Sequence, residues 1–235
     1  MKNILLATIF MFFAIPLEAQ NLQGAWEATK TNEQGVDVQH VMIIAGDFVS
    51  EAFFQRENGK FLGTWGGGCQ VGDNIFTHTF EYATFDSQLV GTTKSTSYAM
   101  ENGKIHMGDK IWTRIDNGSP GDLAGAWLFS GRMQDGEIRK RDTSGPRKTM
   151  KILSGTRFQW IAYNTETKEF MGTGGGTYTT VDGKYTENIG FFSRDDSRVG
   201  VSLQFDYSLE DGDWHHSGLS SKGLPIYEIW SLRSK

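Results

Sequence analysis

The chain repeats itself over most of its length, and this internal duplication restricts the possible folds more than any other feature. Leu22-Gln-Gly-Ala-Trp26 returns as Leu123-Ala-Gly-Ala-Trp127, and Phe61-Leu-Gly-Thr returns as Phe170-Met-Gly-Thr. Two copies of about 100 residues each are too few and too long for a solenoid array, whose repeats are shorter and more numerous. The duplication therefore predicts two small domains of one fold in tandem.

The end of each copy repeats as well. Ile111-Trp-Thr-Arg114 returns as Ile229-Trp-Ser-Leu-Arg233. Between the copies, residues 116–122 read Asp-Asn-Gly-Ser-Pro-Gly-Asp, which is a run of loop-forming residues. We therefore predict a first unit at 20–117 and a second unit at 118–235.

Both copies have the pattern of short β-strands. Apolar residues alternate with polar ones at Phe76, Phe80 and Tyr82, and the second copy alternates in the same way at Tyr185, Ile189 and Phe191. Period-two alternation indicates half-buried strands, and the Asn-Gly and Asp-Gly pairs between them suit tight hairpins. About seven or eight strands per copy predict an all-β chain of two tandem up-and-down antiparallel β-barrels. A pair of β-sandwiches is the structural alternative.

The N-terminus has the order of a secretory signal peptide. Lys2 precedes an apolar run at 4–17, and Ala19 is a small residue before a plausible cleavage site. We therefore predict a signal peptide at 1–19 and a secreted or periplasmic protein, with a retained N-terminal anchor as the alternative. Since no second apolar run approaches spanning length, stable membrane insertion is not expected.

Composition excludes several classes of function. The net charge is −5 with Lys and Arg scattered along the chain, so no nucleic-acid partner is expected. The single cysteine, Cys69, cannot form an internal disulfide, so the 16 Phe, 7 Tyr and 7 Trp must fill the cores. The sequence has no cysteine pair, no His-x-x-x-His and no phosphate-binding loop, and we therefore predict neither a metal nor a cofactor.

The two copies resemble lipocalins and the wider group of calycins. Each copy opens with Gly-x-Trp, at Gly24 to Trp26 and at Gly125 to Trp127, and each closes with a strand that carries an arginine, Arg114 or Arg233. In that family the first-strand Trp closes the barrel bottom, and an arginine of the last strand packs across it. The resemblance implies two tandem lipocalin-like barrels of an exported bacterial type, with these six residues as structural positions.

One candidate functional position is shared by both copies. His78 lies between Phe76 and Phe80 at period-two spacing, and it aligns with Glu187 of the second copy, which follows Tyr185. If that strand face is the barrel interior, each copy holds a titratable group in an apolar cavity, where burial shifts its pKa. A polar group that is satisfied inside the barrel is the structural alternative.

The second copy carries further candidates, and we favour it as the ligand-binding barrel. Ser220, Ser221 and Lys222 form a glycine-bounded loop that is suited to an anionic or sugar-like group, and His215 recurs at the position of His106. The glycine runs 66–68 and 174–176 predict a bend in the strand. The predicted ligand-binding residues are His78, Tyr185, Glu187, Phe191, Leu203, Phe205, Tyr207, His215, Ser220, Ser221 and Lys222.

Three functions remain open from the sequence. The first is an exported binding protein that holds a small, largely apolar ligand in a barrel cavity. The second is a cofactor-independent isomerase, hydratase or lyase, with Glu187, His215 and Tyr185 as candidate acid–base residues. The third is an interaction protein whose barrels are filled with side chains. The sequence alone does not decide whether the chain is an enzyme.

Overall fold

The computed structural model describes residues 22–220 and 223–234, so the predicted signal peptide at 1–19 lies outside the described residues. The strands form two closed, eight-stranded antiparallel barrels in which each strand pairs with its neighbours in the chain. This arrangement confirms the prediction of an all-β fold with two tandem up-and-down barrels. It also excludes the alternative of two β-sandwiches.

The first barrel consists of eight strands and one short 3₁₀ turn between the fifth and sixth. It closes through the pairing of β8 with β1, in which Arg114 lies opposite Trp26. The strands are β1 (Gly24–Thr31), β2 (Asp37–Ala45), β3 (Phe48–Gln55), β4 (Phe61–Gly72), β5 (Ile75–Ala83), β6 (Thr93–Glu101), β7 (Lys104–Met107) and β8 (Lys110–Asp116), and the turn is Ser87–Leu89.

The second barrel has the same topology, with one added strand. It closes through the pairing of β17 with β9, in which Leu232 lies opposite Trp127. The added strand, β10, forms a hairpin with β9 and is not one of the eight strands of the closed barrel. The strands are β9 (Gly125–Gln134), β10 (Glu137–Lys140), β11 (Arg147–Leu153), β12 (Arg157–Asn164), β13 (Glu169–Val181), β14 (Lys184–Phe192), β15 (Ser202–Glu210), β16 (Asp213–Leu219) and β17 (Pro225–Leu232), and the 3₁₀ turn is Asp196–Arg198.

The Trp of each Gly-x-Trp segment is buried inside its barrel in the same way. Trp26 Nε1 donates a hydrogen bond to the carbonyl of Leu22, and Trp127 Nε1 donates one to the carbonyl of Leu123, both at 2.9 Å. Each indole thus satisfies its one donor within the segment that leads into the first strand, as a buried Trp requires.

The two closing arginines behave differently. The Arg114 guanidinium lies 3.9 Å from the ring centre of Trp26 and donates to the carbonyl of Gln23 at 2.8 Å, which matches the expected Trp–Arg pair. The predicted pair of Trp127 with Arg233 is wrong, because Leu232 occupies the position opposite Trp127. The second copy has one extra residue before its arginine, and a one-residue shift in a strand moves a side chain to the other face.

The glycine runs form a β-bulge at the same place in each copy. The register of β4 and β5 shifts between Gly66 and Gly67, and that of β13 and β14 shifts between Gly175 and Gly176. A Cβ on Gly67 would lie 2.1 Å from the carbonyl oxygen of Thr79, so the close strand approach requires glycine there. The predicted bend is therefore confirmed, and beyond it the alternation of inner and outer side chains is reversed.

This reversal corrects the predicted place of Phe191. Phe191 is buried between the barrels and not inside one, since its ring stacks on that of Phe54 in the first barrel with 5.0 Å between ring centres. Its counterpart in the first copy, Tyr82, is also turned out of its barrel and contacts Tyr163 of the second at 4.8 Å. The bulges thus supply aromatic side chains to the contact between the barrels.

The barrels pack together through outer faces that are apolar on both sides. We call this set the inter-barrel cluster: Ala25, Ile43, Ala45, Phe48, Tyr82, Ala126, Leu128, Met150, Ile152, Ile161 and Tyr163. A buried polar contact crosses it, because Ser50 donates to Gln159 Oε1 and Gln159 Nε2 donates to Thr64 Oγ1 at 2.9 Å. Burial of apolar surface on both faces of these strands makes the two barrels one packed unit.

Arg233 takes part in the same contact. Its guanidinium donates to both oxygens of Glu81, at 2.7 and 2.9 Å, and lies 4.2 Å from the ring centre of Phe48. Tyr163 also donates its hydroxyl to Glu81. The pair is bidentate and largely shielded from water, which is the geometry in which an arginine–carboxylate pair is strongest.

The linker is held by one carboxylate. Asp116 ends β8 and accepts hydrogen bonds from Ser154, Gly155 and Thr156 in the turn that joins β11 to β12. Burial alone raises the pKa of Asp116, but these hydrogen bonds outweigh burial and leave the pKa below its usual value. The first barrel is therefore tied to the second at the point where the chain passes between them.

We predict that Glu81→Ala lowers the free energy of unfolding by about 3 kcal/mol, because it leaves the Arg233 guanidinium shielded from water without its acid. Asp206→Ala removes the acid of the exposed Lys184–Asp206 pair and should cost less than about 1 kcal/mol. Denaturant unfolding of both variants measures the difference. Equal losses would show that the Arg233–Glu81 pair does not hold the barrels together.

Candidate functional site

The first barrel contains a cavity of about 610 Å³. Its walls are mainly aromatic and apolar, and its polar residues lie among them or at the mouth. The lining includes His40, Glu51, Phe53, Trp65, Phe76, His78, Phe80, Phe85, Thr93, Lys94, Thr96, Met107, Asp109, Lys110 and Trp112. A volume of this size falls in the range of pockets that hold one small molecule.

At two matched inner positions the first copy carries a smaller side chain than the second copy. Thr96 lies opposite Phe76, whereas Phe205 occupies the matching place opposite Tyr185. Likewise Ile105 lies opposite Trp112, whereas the second copy pairs Trp214 with Trp230. Replacement of two large aromatic side chains leaves room in the first barrel.

Glu51 is a buried charged residue in the cavity wall. It is 3% exposed, its Oε1 lies 2.8 Å from His40 Nδ1, and its Oε2 accepts from Trp65 Nε1 at 2.9 Å. Lys110 Nζ lies 3.4 Å from the same carboxylate and 5.5 Å from the ring centre of Trp112. Both carboxylate oxygens are therefore engaged, as a buried acid requires.

Within the described residues, His78 is one of four buried side chains with an unsatisfied polar atom, and the others are Trp112, Trp214 and His216. His78 is 5% exposed, and neither ring nitrogen has a hydrogen-bond partner among the described residues. Its ring is enclosed by Trp65, Phe76 and Phe80, at 4.4, 5.6 and 4.6 Å between ring centres. Burial, helped by the charge of Lys94 and opposed by Glu51, lowers the pKa of His78 to about 4. The imidazole is therefore neutral at pH 7, with one donor and one acceptor.

The second barrel holds a different group at the matching position. Glu187 Oε1 accepts from Lys151 Nζ at 2.8 Å and from the Tyr185 hydroxyl at 2.9 Å, and both charged residues are buried. The Lys151 ammonium lies 5.0, 4.9 and 5.1 Å from the ring centres of Tyr185, Trp214 and Trp230. The barrel thus encloses one of its own cations in an aromatic cage with a counter-ion.

The structure separates the residues that the enzyme hypothesis pairs. Trp214 and His216 face the interior, where the His216 ring lies 4.2 Å from that of Phe205. His215 alternates with them, faces outward and contacts the Tyr227 hydroxyl at 2.8 Å. Glu187 and His215 therefore lie on opposite faces of the barrel wall. Burial and the Glu187 charge raise the pKa of Tyr185 well above its usual value, so its hydroxyl remains a donor.

The inner histidine of that strand has its own partner. His216 Nδ1 lies 3.3 Å from Glu228 Oε2, which also accepts from Trp230 Nε1 at 3.1 Å. Burial and the charge of Lys151 lower the pKa of His216, although Glu228 acts to raise it. The interior of the second barrel therefore carries a continuous set of charged and polar groups next to Lys151.

The remaining predicted ligand residues fall into two groups. Leu203, Phe205 and Tyr207 pack into the core of the second barrel, and the Tyr207 hydroxyl donates to Asp122 at 2.8 Å. In the predicted loop, Ser220 bonds the backbone of Leu224, whereas Ser221 and Lys222 lie outside the described residues. The candidate residues of the second copy are thus largely core residues.

Sequence reasoning missed Glu51, His40 and Lys110. The sequence does carry a signal for Glu51, because it stands at period-two spacing between the apolar residues Val49 and Phe53, and a charged residue there requires a partner. Nothing in the sequence identifies His40 and Lys110 as its partners. They come from β2 and β8, and only the closed barrel brings them to β3.

No protein-family model matches the chain, and the search of curated proteins finds no match. Within residues 22–220 and 223–234, no helix has the length and apolar character that crossing a membrane requires. In the same part of the chain, no three His, Cys, Asp or Glu side chains are grouped as a metal site.

We predict that the His78 ring titrates near pH 4 in the folded protein, because burial disfavours its charged form. Since the unfolded histidine titrates near pH 6.5, only the unfolded state gains this proton between pH 6.5 and about 4. The free energy of unfolding should fall across that window as the pH drops. NMR of the ring protons measures the titration midpoint of His78. Unfolding of the wild type and of His78→Phe at each pH measures the loss of stability, since the variant lacks the contribution of His78. A His78 midpoint near 6.5 would contradict the buried, neutral assignment.

Proposed function

We propose that the protein is an exported binding protein whose first barrel holds one small, largely apolar molecule. The observation that carries the proposal is His78, a buried imidazole in the wall of a 610 Å³ cavity with no hydrogen-bond partner in the described part of the chain. Buried polar groups are nearly always satisfied, so such a group at a cavity indicates a ligand or water in solution. The proposed site therefore moves from the second barrel to the first.

The lining defines the chemistry of the proposed ligand. Trp65, Phe76 and Phe80 offer flat apolar surfaces to a ring or chain, and a neutral His78 donates one hydrogen bond and accepts another. Hydroxyl, carbonyl and carboxylic acid groups all suit this pair of bonds. Lys94, Lys110 and Asp109 line the same cavity, so its wall also carries charges of both signs. The ligand class that fits is a small apolar molecule with one polar end.

The resemblance to lipocalins and calycins supports the same function, since barrels of eight strands hold one small ligand in such proteins. In this proposal the second barrel is the structural partner. Lys151, Glu187 and their aromatic neighbours occupy its interior, which favours the side-chain-filled alternative for that barrel alone.

A cofactor-independent enzyme is the second candidate, and one observation favours it in the first barrel. Glu51 binds His40 Nδ1, which orients the imidazole, and His40 lines the same cavity as His78. A carboxylate that orients a histidine is a common arrangement for acid–base catalysis. In this version His40 replaces the Glu187 and His215 pair as the proton-transfer group.

One experiment tests both candidates. The protein is purified from its native host, its bound molecule is identified by mass spectrometry, and binding is measured for the wild type and Thr96→Phe. That substitution introduces the residue of the second barrel, fills the cavity and should weaken binding at least about tenfold. His106→Phe, which changes a half-buried histidine beside the cavity-lining Met107, is the control and should bind as the wild type does.

The outcomes separate the two candidates. A ligand that leaves the protein unchanged supports the binding protein, whereas release of a converted molecule, lost in His40→Gln, supports the enzyme. Equal affinity in the wild type and in Thr96→Phe would place the ligand outside the first barrel and contradict the proposal.

Export is the remaining part of the proposal, and it depends on Lys2, the apolar run at 4–17 and Ala19. We expect the protein recovered outside the cytoplasm to begin at Gln20, as N-terminal sequencing would measure. A chain that keeps Met1 and sediments with membranes would support the retained anchor instead. Replacement of Ala19 by Trp should block cleavage, since the site requires a small residue.

A further inference from the structure

A groove of about 310 Å³ lies on the outside of the barrels, where they meet. The first barrel supplies Gln39, Val41 and Phe54 to its wall, and the second supplies Arg157, Gly190 and Phe191. We call it the inter-barrel groove. It is separate from the cavity of the first barrel and takes no part in the function proposed above.

The other side of the inter-barrel contact shows what fills the matching space. There the Arg233 guanidinium donates to Glu81 and, at 3.2 Å, to the Tyr163 hydroxyl oxygen, contacts Met150 and covers Phe48. Burial lowers the pKa of Lys148, and the nearby charge of Arg233 lowers it further. An arginine side chain with its own acid thus occupies that side.

The duplication relates the two sides residue by residue. The five neighbours of Arg233 map onto positions 109 residues away in the other copy, and all five of these positions line the inter-barrel groove. In order, Glu81, Tyr163, Met150, Phe48 and Lys148 correspond to Gly190, Phe54, Val41, Arg157 and Gln39. The groove is therefore the counterpart of the Arg233 site with its occupant missing.

The occupant is missing because the ends of the two copies differ. Arg233 follows Leu232, which lies opposite Trp127, whereas Ile115 follows Arg114, which lies opposite Trp26. Ile115 is short and packs against the inter-barrel cluster. The first copy thus supplies no long side chain to fill the groove.

The charged residues of the two sides differ. The acid of the filled side, Glu81, is replaced by Gly190, and the aromatic Phe48 is replaced by Arg157. Arg157 is half-buried, donates to Thr156 Oγ1 at 3.3 Å and forms no ion pair within the described residues. The rim also carries Glu27, whose carboxylate accepts from Gln39 at 3.2 Å. Where the filled side holds a cation paired with an acid, the open side presents Arg157, which has no ion pair among the described residues, together with the Glu27 carboxylate.

We propose that the inter-barrel groove binds a small organic anion with a flat apolar body. The anionic group pairs with Arg157, and the body lies against Phe54 and Phe191, whose stacked rings form the apolar wall. Gly190 has no side chain, so part of the ligand occupies the space that the Glu81 side chain fills on the other side.

Three probes with the same body test the role of charge. 2-Naphthoate, 2-naphthamide and 2-naphthylmethylammonium are titrated into the ¹⁵N-labelled full mature chain, and amide shifts are followed. We expect 2-naphthoate to shift the amides of Gly176, Thr177 and Gly190 and to bind about tenfold more tightly than the other two probes. Shifts confined to the first-barrel cavity, or equal affinities for all three probes, would overturn the proposal.

Two variants test the site itself. Arg157→Gln should weaken 2-naphthoate about tenfold, and Gly190→Glu, which restores the acid of the filled side, should reverse the preference in favour of the ammonium probe. A Cβ at Gly190 meets only Gly176 Cα, at 3.4 Å, and Gly175 O, at 3.7 Å, so the strand has room for it. Arg132→Gln, at an exposed arginine of β9, is the control for charge. Unchanged affinity in Arg157→Gln would overturn the proposal even if Gly190→Glu did not fold.

Discussion

The arrangement of this molecule depends on one constraint in each copy, the bulge at the glycine run. At Gly67 and Gly176 the backbone of the neighbouring strand lies so close that no side chain fits. The bulge reverses which side chains face out, and it turns Tyr82 and Phe191 toward the partner barrel. Without that reversal the two rings would lie inside the barrels, and the outer faces would lack the aromatic surface that joins them.

Because two closed barrels meet through their outer faces, several strands are buried on both sides. In β3, Val49 and Glu51 face the first barrel's interior, while Phe48 and Ser50 face the second barrel. The polar groups between the barrels are satisfied by each other, through Gln159 and through the Arg233–Glu81 pair. These directional contacts set the relative position of two surfaces that are otherwise held by non-directional apolar packing.

The fold could be predicted from the sequence because repeats, alternation and turn pairs act locally and agree with each other. The sites could not, because inner and outer positions depend on bulges and on closure. Unbroken alternation predicts that Phe191 lies inside the barrel, although one extra residue at the bulge turns it outward. The repeat matches Arg233 to Arg114 by residue type, although one inserted residue moves it to the other face. The sequence shows that Lys94 and Thr96 are polar. What bears on the cavity, however, is the small volume of the Thr96 side chain.

The pair of Lys151 and Glu187 also bears on how the two copies could diverge after duplication. At the matching positions the first copy carries Met42 and His78, both uncharged at neutral pH. If one barrel interior changes into the other by single substitutions, one charge must at some step be buried without its partner. Such an unpaired buried charge lowers the stability of the fold by about 3 to 5 kcal/mol. That loss is a large share of the stability of an ordinary domain. Once established, the charged interior of the second barrel is therefore difficult to reverse, whereas the uncharged pair of the first barrel can be substituted one residue at a time.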